Sequence, residues 1–526
     1  MNRLDVLFVI PTNVLDIKGG VTDAIEPPAR ARLMAAYLMR RNCSVDLFDS
    51  NVLDWSPEKM AQEVKTVNPH LVVVPVYGYN PSASTQTMPS AREFAQAIRN
   101  ESPNTTIMFT GTHPAALPGK TLLDEPIDYI CGGEGPITTH ELLQAIKGGN
   151  GIQNVRGLWY RENGRAIPNA PAPLIDLNDE PAMDAWHLMD PRKYRPHHWQ
   201  RFYLESEASE PYANPFSVEG CPFQCNFCNI HSTFRQGEGL RVEQGLARPG
   251  VNSYRFLKPE LFVKEVEYLV KEYGVKYFKI PDEMFGLNPN HVLTIARLIK
   301  ERFGNSLNIW CYFRIDTCNP KFLEPLASAG FTYLGLGIEA ANSQVRSGIG
   351  KGFKDEKIFK VLEEIESVGL MGGNNFIFGL EGDTAESIQA TYKMACELNG
   401  HYGNFYCRQA LPGSKDYETA RRIDYPLPER LSGPGWFGHA QYSEVSEPYY
   451  EGRDLTPAQI LDFRDRAHIA YYRRPEYLDK IRKDPRFGEI AVQHVLEWIS
   501  HLERNLKRKL VEDAKASGSF APIPLQ

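Results

Sequence analysis

The densest chemistry in this chain lies in Cys221-Pro222-Phe223-Gln224-Cys225-Asn226-Phe227-Cys228, a CxxxCxxC arrangement that follows a short apolar segment over 215–218. Thiolates suit zinc and the iron of iron–sulfur clusters. Three of them in one tight loop can serve a single centre while leaving a coordination position to another ligand. Bacterial ferredoxin runs use CxxCxxC with a further Cys a few residues on, and structural zinc sites usually split their ligands into two separated pairs. This loop does neither. A structural zinc knuckle and inert buried cysteines are the competing readings.

The elements that must position this loop repeat behind it. Helical signals over 259–273, 289–302, 320–329, 355–368 and 384–398 alternate with short apolar strands over 276–280, 307–313, 332–337, 374–378 and 403–408. With the strand before Cys221 this makes six, which predicts a parallel, partly open barrel over 211–420. Catalytic groups of such barrels sit at the carboxyl ends of strands. Those ends carry Asp282 and Glu283 on the second strand, Arg314 on the third, Glu339 on the fourth and Gly379 in the turn after the fifth.

The cysteine spacing resembles the signature of the radical S-adenosylmethionine (SAM) superfamily, whose three Cys hold a [4Fe–4S] cluster while SAM chelates the fourth iron. That resemblance implies Cys221, Cys225 and Cys228 as the metal ligands and the source of the radical. It implies Phe227 against the adenine, Asp282 or Glu283 at the ammonium or ribose, Arg314 at the carboxylate, Glu339 at the ribose, and Gly379 in the cofactor site. Two departures stand out: Glu381 replaces the Pro of a GxPG-like turn, and the second strand lacks the common GGE triplet.

Residues 1–150 read differently. Strands over 5–10, 44–48, 71–76, 106–110 and 127–131 alternate with helices over 28–40, 57–67 and 89–99, implying a parallel sheet covered on both faces, of Rossmann-like, flavodoxin type. Ligands bind outside the carboxyl ends of strands in such sheets. Here those ends hold Tyr77, Gly78, Ser82 and Ser84, then Gly111, Thr112 and His113, then Gly132, Gly133, Glu134 and Gly135. Glycines permit close backbone approach and hydroxyls can bond a polar tail, although ordinary turn chemistry gives the same pattern. Placed directly before a radical SAM module, the domain resembles the cobalamin-binding domain of the cobalamin-dependent radical SAM enzymes. Gly111-Thr112-His113-Pro114 is similar to that group's GGxHP, with Thr112 at the second Gly. The resemblance implies that the three loops wrap cobalamin. The DxHxxG motif that supplies an axial His elsewhere is absent, and His113 is not expected to ligate cobalt.

Residues 151–210 predict a linker: a small hairpin closed by Asn163-Gly164, then a Pro-rich extended run ending in His197 and His198, expected at the surface. Residues 421–526 predict a mainly helical domain. Thr456-Pro457 opens one helix, and Val495, Leu496, Ile499, Leu502 and Leu506 fall at helical spacing in a second, with a frayed tail after Ala516. Trp436, His439 and Tyr442 are expected over the barrel mouth, enclosing substrate.

Composition closes other classes. Of 526 residues, 42% are hydrophobic and 23% charged, as in an ordinary globular protein, and the net charge of −7 without a basic block disfavours a nucleic-acid substrate. Neither a signal-peptide core nor a membrane span is expected, and nine scattered cysteines predict no disulfide framework, pointing to a reducing cytoplasm. The resemblance implies an enzyme carrying a [4Fe–4S] cluster, SAM and methylcobalamin, reduced by an external donor such as flavodoxin or ferredoxin. Its expected reaction is C-methylation of a small molecule at an unactivated carbon: a 5′-deoxyadenosyl radical removes hydrogen, and the substrate radical takes methyl from methylcobalamin. A cyclisation, ring contraction or rearrangement with the same cofactors is the alternative, and a zinc-containing ligand-sensing protein is the alternative of a different class.

Overall fold

The computed structural model describes residues 3–12, 24–79, 83–148, 151–197, 200, 210–233, 240–241, 246–247, 254–425, 427, 455–505, 509–518 and 520–525. Two parallel sheets organise them. The first is built from β1 (Val6–Ile10), β2 (Val45–Asp49), β3 (Leu71–Pro75), β4 (Ile107–Thr110) and β5 (Tyr129–Cys131). Strands β1 and β3 are five-residue runs that are buried throughout, as a sheet covered on both faces requires. Helices α1 (Ala29–Met39), α2 (Pro57–Val67), α3 (Ser84–Glu101) and α4 (Thr112–Ala116) connect or follow these strands. The order β2-β1-β3-β4-β5 is flavodoxin-like. Its chain reverses direction between β1 and β3, where the loops part and leave a cleft.

Local signals set most boundaries. In α2, the Ser56 hydroxyl accepts from the Lys59 N–H, Pro57 opens the helix and Asn68 closes it at φ 48°. Other boundaries depart from expectation. Helix α3 begins at Ser84, five residues before Pro89, which sits inside the helix. The Gly111-Thr112-His113-Pro114 segment turns at once into α4 rather than remaining a loop. The hairpin of β6 (Leu158–Glu162) and β7 (Arg165–Pro168) is not part of a free connection. It pairs antiparallel with β5 and extends the first sheet to residue 168.

The second sheet runs β8 (Tyr212–Ala213), β11 (Tyr277–Lys279), β12 (Asn308–Arg314), β13 (Phe331–Glu339), β14 (Met371–Phe378), β15 (Tyr402–Cys407), parallel and in sequence order. Its end strands β8 and β15 do not pair with each other, so the barrel is partial. The expected first strand is displaced. Tyr212–Ala213 joins the sheet, whereas β9 (Val218–Gly220) leaves it to pair antiparallel with β10 (Tyr254–Phe256). Inside the barrel, backbone gives way to rings: a Cβ on Gly373 would lie 1.5 Å from the Tyr333 hydroxyl.

Helix α5 (Pro457–Arg473) carries the capping box of Thr456 and Gln459. It covers the outer barrel face, where Tyr471 and Tyr472 hydroxyls donate to the Gly400 and Gly403 carbonyls at 2.7 and 2.9 Å. A helix over Pro475–Lys483, not expected from the sequence, precedes the one over Gly488–Asn505. In the latter, Val495 and Ile499 are buried but Leu496 is 39% exposed. Leu506 and the Leu502 side chain lie outside the described residues. The tail is docked rather than frayed: Ile523 is buried and its carbonyl accepts from Arg466. No described helix is long and apolar enough to cross a membrane.

The connection between the sheets is threaded through their interface. Trp186 is fully buried and its indole N–H donates to Glu265 at 2.6 Å. Arg32 stacks over Trp186 at 3.9 Å, bonds the Asn214 side chain and carbonyl at 3.2 and 3.1 Å, and sits 3.7 Å from Glu265. Removing one member of a buried charge set strands the other. Arg32→Ala is therefore expected to lower unfolding stability by about 3–5 kcal/mol in urea melts, and the pair Arg32→Met with Glu265→Met to recover most of it. A loss under ~1 kcal/mol for the single variant would show that the charges are already solvated.

Candidate functional site between the two sheets

The cysteine loop follows β9 and is held by its own backbone and by later strand ends. The Cys228 N–H donates to the Cys225 carbonyl at 3.0 Å, the Asn226 side chain donates to the Gly348 carbonyl at 2.9 Å, and the Asn226 carbonyl accepts from Asp416 N–H at 3.0 Å. Phe227 packs toward Ala340, Ile377 and their neighbours. All three cysteines are partly exposed. Burial pushes the Cys221 thiol up to about 12 and Cys228 higher still, so both are protonated at neutral pH. Arg314 touches the loop twice: its guanidinium donates to Cys225 Sγ at 3.3 Å and lies 3.9 Å over the Phe223 ring. Among the described residues, no three His, Cys, Asp or Glu side chains are grouped as they would be around one metal ion. An iron–sulfur cluster makes a different demand, because each thiolate binds a different iron.

The strand-end residues divide into two groups. Near the cysteines stand Glu283 and Arg314. Glu283 is felt by both Cys221 and Cys228, and its Oε1 takes Arg30 Nη2 at 3.0 Å. Arg314 is engaged by Asp316, with two bonds of 2.9 Å. Glu339 adopts φ +73° and is ion-paired with Lys351 at 2.5 Å, both buried. Asp282 and Gly379 serve the frame instead. Both Asp282 oxygens are taken by Ser217, at 2.8 Å from its N–H and 2.6 Å from its hydroxyl, and burial lifts this carboxyl to about 7. Gly379 N–H donates to Asp383 at 3.1 Å, and a Cβ there would lie 2.9 Å from Ile460.

The sequence reading missed Arg30, Glu219 and Lys351. Two of them left a trace. Glu219 is a carboxylate inside the buried strand β9, and Arg30 is a cation in the first turn of α1, where the helix dipole disfavours it.

The loops of the first sheet face the barrel. Their cleft is lined by Ile10, Glu26, Arg30, Tyr77, Gly78 and Tyr79 from one side and by Asn214, Phe216 and Pro281 from the other. Tyr77 is buried. Gly78, Gly111 and Gly135 all have φ between +98° and +143°. Gly111 is the tightest: a Cβ would lie 2.0 Å from the Val76 carbonyl oxygen, so no other residue lets β4 turn against β3 here. Ser84 bridges those strand ends, donating to the Val76 carbonyl and accepting from His113 N–H at 2.9 Å. His113 is buried against Thr85 Oγ1 at 3.1 Å, and burial pulls its pKa down to about 3. Gly132 N–H donates to the Gly157 carbonyl at 2.8 Å, and Gly133 faces open space. Glu134 is committed to the barrel module through Arg255 and accepts from Ile175 N–H at 3.1 Å. Ser82, Trp436, His439, Tyr442 and His198 lie outside the described residues. His197 is not a surface residue: it bonds Glu26 at 2.5 Å and packs edge-on to Trp310 at 5.3 Å.

Two observations test whether cofactors fit. In the first sheet's wall, the Gln86 amide and the Thr112 hydroxyl are buried without a hydrogen-bond partner, leaving donors and acceptors for a polar ligand. In the loop, the donor set includes three thiols, which suits iron–sulfur ligation. The two sites adjoin. A Cβ on Gly413, in the loop after β15, would touch both Ser232, four residues past the last cysteine, and Ala116 of α4.

The family model described as B12 binding domain matches residues 18–143, and that of the Radical SAM superfamily matches residues 216–395. An uncharacterized methyltransferase of Pyrococcus horikoshii is 26% identical over 482 residues, 91% of this chain and 95% of the relative. An anaerobic magnesium-protoporphyrin IX monomethyl ester cyclase of Rubrivivax gelatinosus is 25% identical, over 72% of this chain and 63% of the relative. The radical SAM methyltransferase TsrM of Kitasatospora setae, solved with tryptophan substrate and a SAM analogue, shares the fold with a TM-score of 0.61 at 19% identity, over 82% of this chain and 78% of that one. With the two modules in this order and their strand ends apposed across one cleft, the chain belongs to the cobalamin-dependent radical SAM enzymes.

Proposed function

We propose that this enzyme methylates an unactivated carbon of a small molecule, in a reducing cytoplasm, drawing electrons from an external donor such as flavodoxin or ferredoxin. The observation that carries the reading is the apposition of the cysteine loop and the glycine- and hydroxyl-lined loops across one cleft. When bound, the [4Fe–4S] cluster, SAM and cobalamin together supply radical generation and methyl transfer. The chain's own residues orient these groups and exclude water. Cys221, Cys225 and Cys228 hold iron, and Arg314 offsets the charge of Cys225. Phe227 offers a flat apolar face for the adenine, Glu283 a carboxylate for the ammonium and Glu339 one for the ribose. Asp282 holds Ser217, and through it the approach to the cysteines, in place. Tyr77, Gly78, Gly111, Thr112 and Gly133 form the cobalamin cradle, with Ser84 and His113 fixing its walls.

Similarity to the cyclase supports a second reading, ring closure or rearrangement without net methylation. Product counting separates the two. A methylated product together with S-adenosylhomocysteine and 5′-deoxyadenosine supports methylation, and turnover without S-adenosylhomocysteine supports the second.

Anaerobic reconstitution is expected to give a brown protein with about four irons, lost in Cys225→Ala. A colourless protein with stoichiometric zinc would overturn the assignment. Because a side chain at Gly133 meets nothing within 4 Å, Gly133→Leu is expected to fold normally, by circular dichroism and thermal melting, yet to bind hydroxocobalamin about tenfold more weakly, a change of ~1.4 kcal/mol. Unchanged affinity would remove Gly133 from the cradle.

A further inference from the structure

The cysteine loop has a neighbour besides the cleft. Asn226 lies between Cys225 and Cys228, and its carbonyl accepts at 3.0 Å from the N–H of Asp416, in the first turn of the helix Lys415–Arg422. Tyr417, one residue and ~3.8 Å of chain further on, is 6% exposed and lines a surface groove. The opposite bank belongs to the first module: the helix Pro118–Asp124 and the β6–β7 hairpin. An apolar floor joins the two banks. Leu117 packs with Ala410, Tyr417 and Ala420, and Tyr425 and Leu427 pack against that set. Leu123 stands 50% exposed on the first bank, and Ile423 is 43% exposed at the end of the helix Lys415–Arg422.

The rim is charged. Lys120, Arg165 and Arg421 line the groove with Asp424. Lys120 is paired with Asp124 at 2.6 Å, which leaves two exposed arginines against one carboxylate, a positive excess on a chain whose net charge is −7. An apolar floor inside an arginine-bearing rim is the anatomy of a protein interface. Resting on the reading above, in which the three cysteines hold a [4Fe–4S] cluster fed by an external donor, we propose that this groove docks a flavodoxin. In that reading SAM and cobalamin take the cleft face of the loop, so an electron carrier must approach from another side. The groove offers that side, one hydrogen bond away from the loop. Flavodoxins are small and acidic, which complements the arginines, and the Tyr417 and Tyr425 rings suit the flat apolar edge of a flavin better than a cluster held in a polar loop. On docking, the anionic flavin hydroquinone gives up one electron to become the neutral semiquinone, no proton moving, and the oxidised cluster takes that electron.

Calorimetric titration of the reconstituted protein with oxidised flavodoxin tests the site without turnover. A one-to-one complex is expected, weakening about tenfold as salt rises from ~50 to ~500 mM. Arg165→Glu combined with Arg421→Glu is expected to weaken it about tenfold at the lower salt, and Leu123→Asp to weaken it too. Iron content, hydroxocobalamin affinity and the yield of 5′-deoxyadenosine with dithionite are expected to stay unchanged, while oxidation of photoreduced flavodoxin by the protein slows in proportion to binding. The control lies past the loop's other fastening at Gly348, where Lys354 and Lys357 are exposed. Lys354→Glu combined with Lys357→Glu is expected to leave flavodoxin binding unchanged. Loss of binding in the lysine pair, binding indifferent to the arginine pair, or a ferredoxin captured in place of flavodoxin would overturn the docking site. So would a parent protein that holds iron and cleaves SAM with dithionite yet binds no flavodoxin, and the functional reading would then stand. A parent protein that takes up zinc in place of iron would overturn that reading, and the docking site with it.

Discussion

Everything in this molecule that bears on cofactors depends on the carboxyl ends of two parallel sheets being held face to face. The ties are charged, and they cross the interface at several depths. Lys279, at the end of the second barrel strand, donates to both oxygens of Glu26 at 2.7 and 2.9 Å and to the Tyr79 carbonyl at 3.0 Å. Arg30 joins Glu219 and Glu283, Arg32 stands by Glu265, and Arg255 joins Glu134. Buried pairs of this kind contribute little net stability, because desolvation offsets most of their attraction. What they contribute is register. An apolar interface could slide, whereas a guanidinium displaced from its carboxylate leaves two buried charges unpaired.

That register explains why several residues at strand ends do not point at a ligand. Asp282, Glu134 and Ser84 occupy positions where a βα barrel or a flavodoxin-like sheet carries its chemistry, yet each is spent on backbone or cross-domain bonds. A cleft between two modules needs rigid walls before it can bind anything. Asp282 clamps Ser217, four residues before Cys221, and His291 bonds the same hydroxyl at 3.0 Å. The cysteine loop therefore inherits its position from the second strand as well as from its own turn.

The legible part of the fold is the part governed by local rules. Helices such as Pro259–Tyr273, with Pro at its start and Gly274 at φ 70° past its end, were readable to the residue because caps are written in neighbouring positions. The cysteines and the glycine-marked ends of β3, β4 and β5 were readable because their chemistry admits few substitutes. Partnerships set by tertiary contact were not. Tyr212–Ala213 is too short to announce itself as a strand, and it pairs only because β11 lies alongside. His197 looks like one of two polar surface histidines until Glu26, Trp310 and Tyr212 close around it. Lys351 gains meaning only from Glu339, whose left-handed φ no local pattern foretells.

The thiols show how the metal and the frame depend on each other. Burial holds Cys221 and Cys228 in the protonated form, so any metal that the proposed function places on this loop must displace those protons. Arg314 partly offsets the burial of Cys221, and its guanidinium donates to Cys225 Sγ at 3.3 Å. The loop is held in this form, because Asn226 is fastened to Gly348 on one side and to Asp416 on the other, and Asp416 is in turn fixed by Arg408 through bonds of 2.7 and 2.6 Å. The frame thus fixes where the three thiols sit and ties their loop to the strand end that carries Arg314. Cysteine loop and barrel mouth are one bonded unit, and the first domain is tied to it through Arg30.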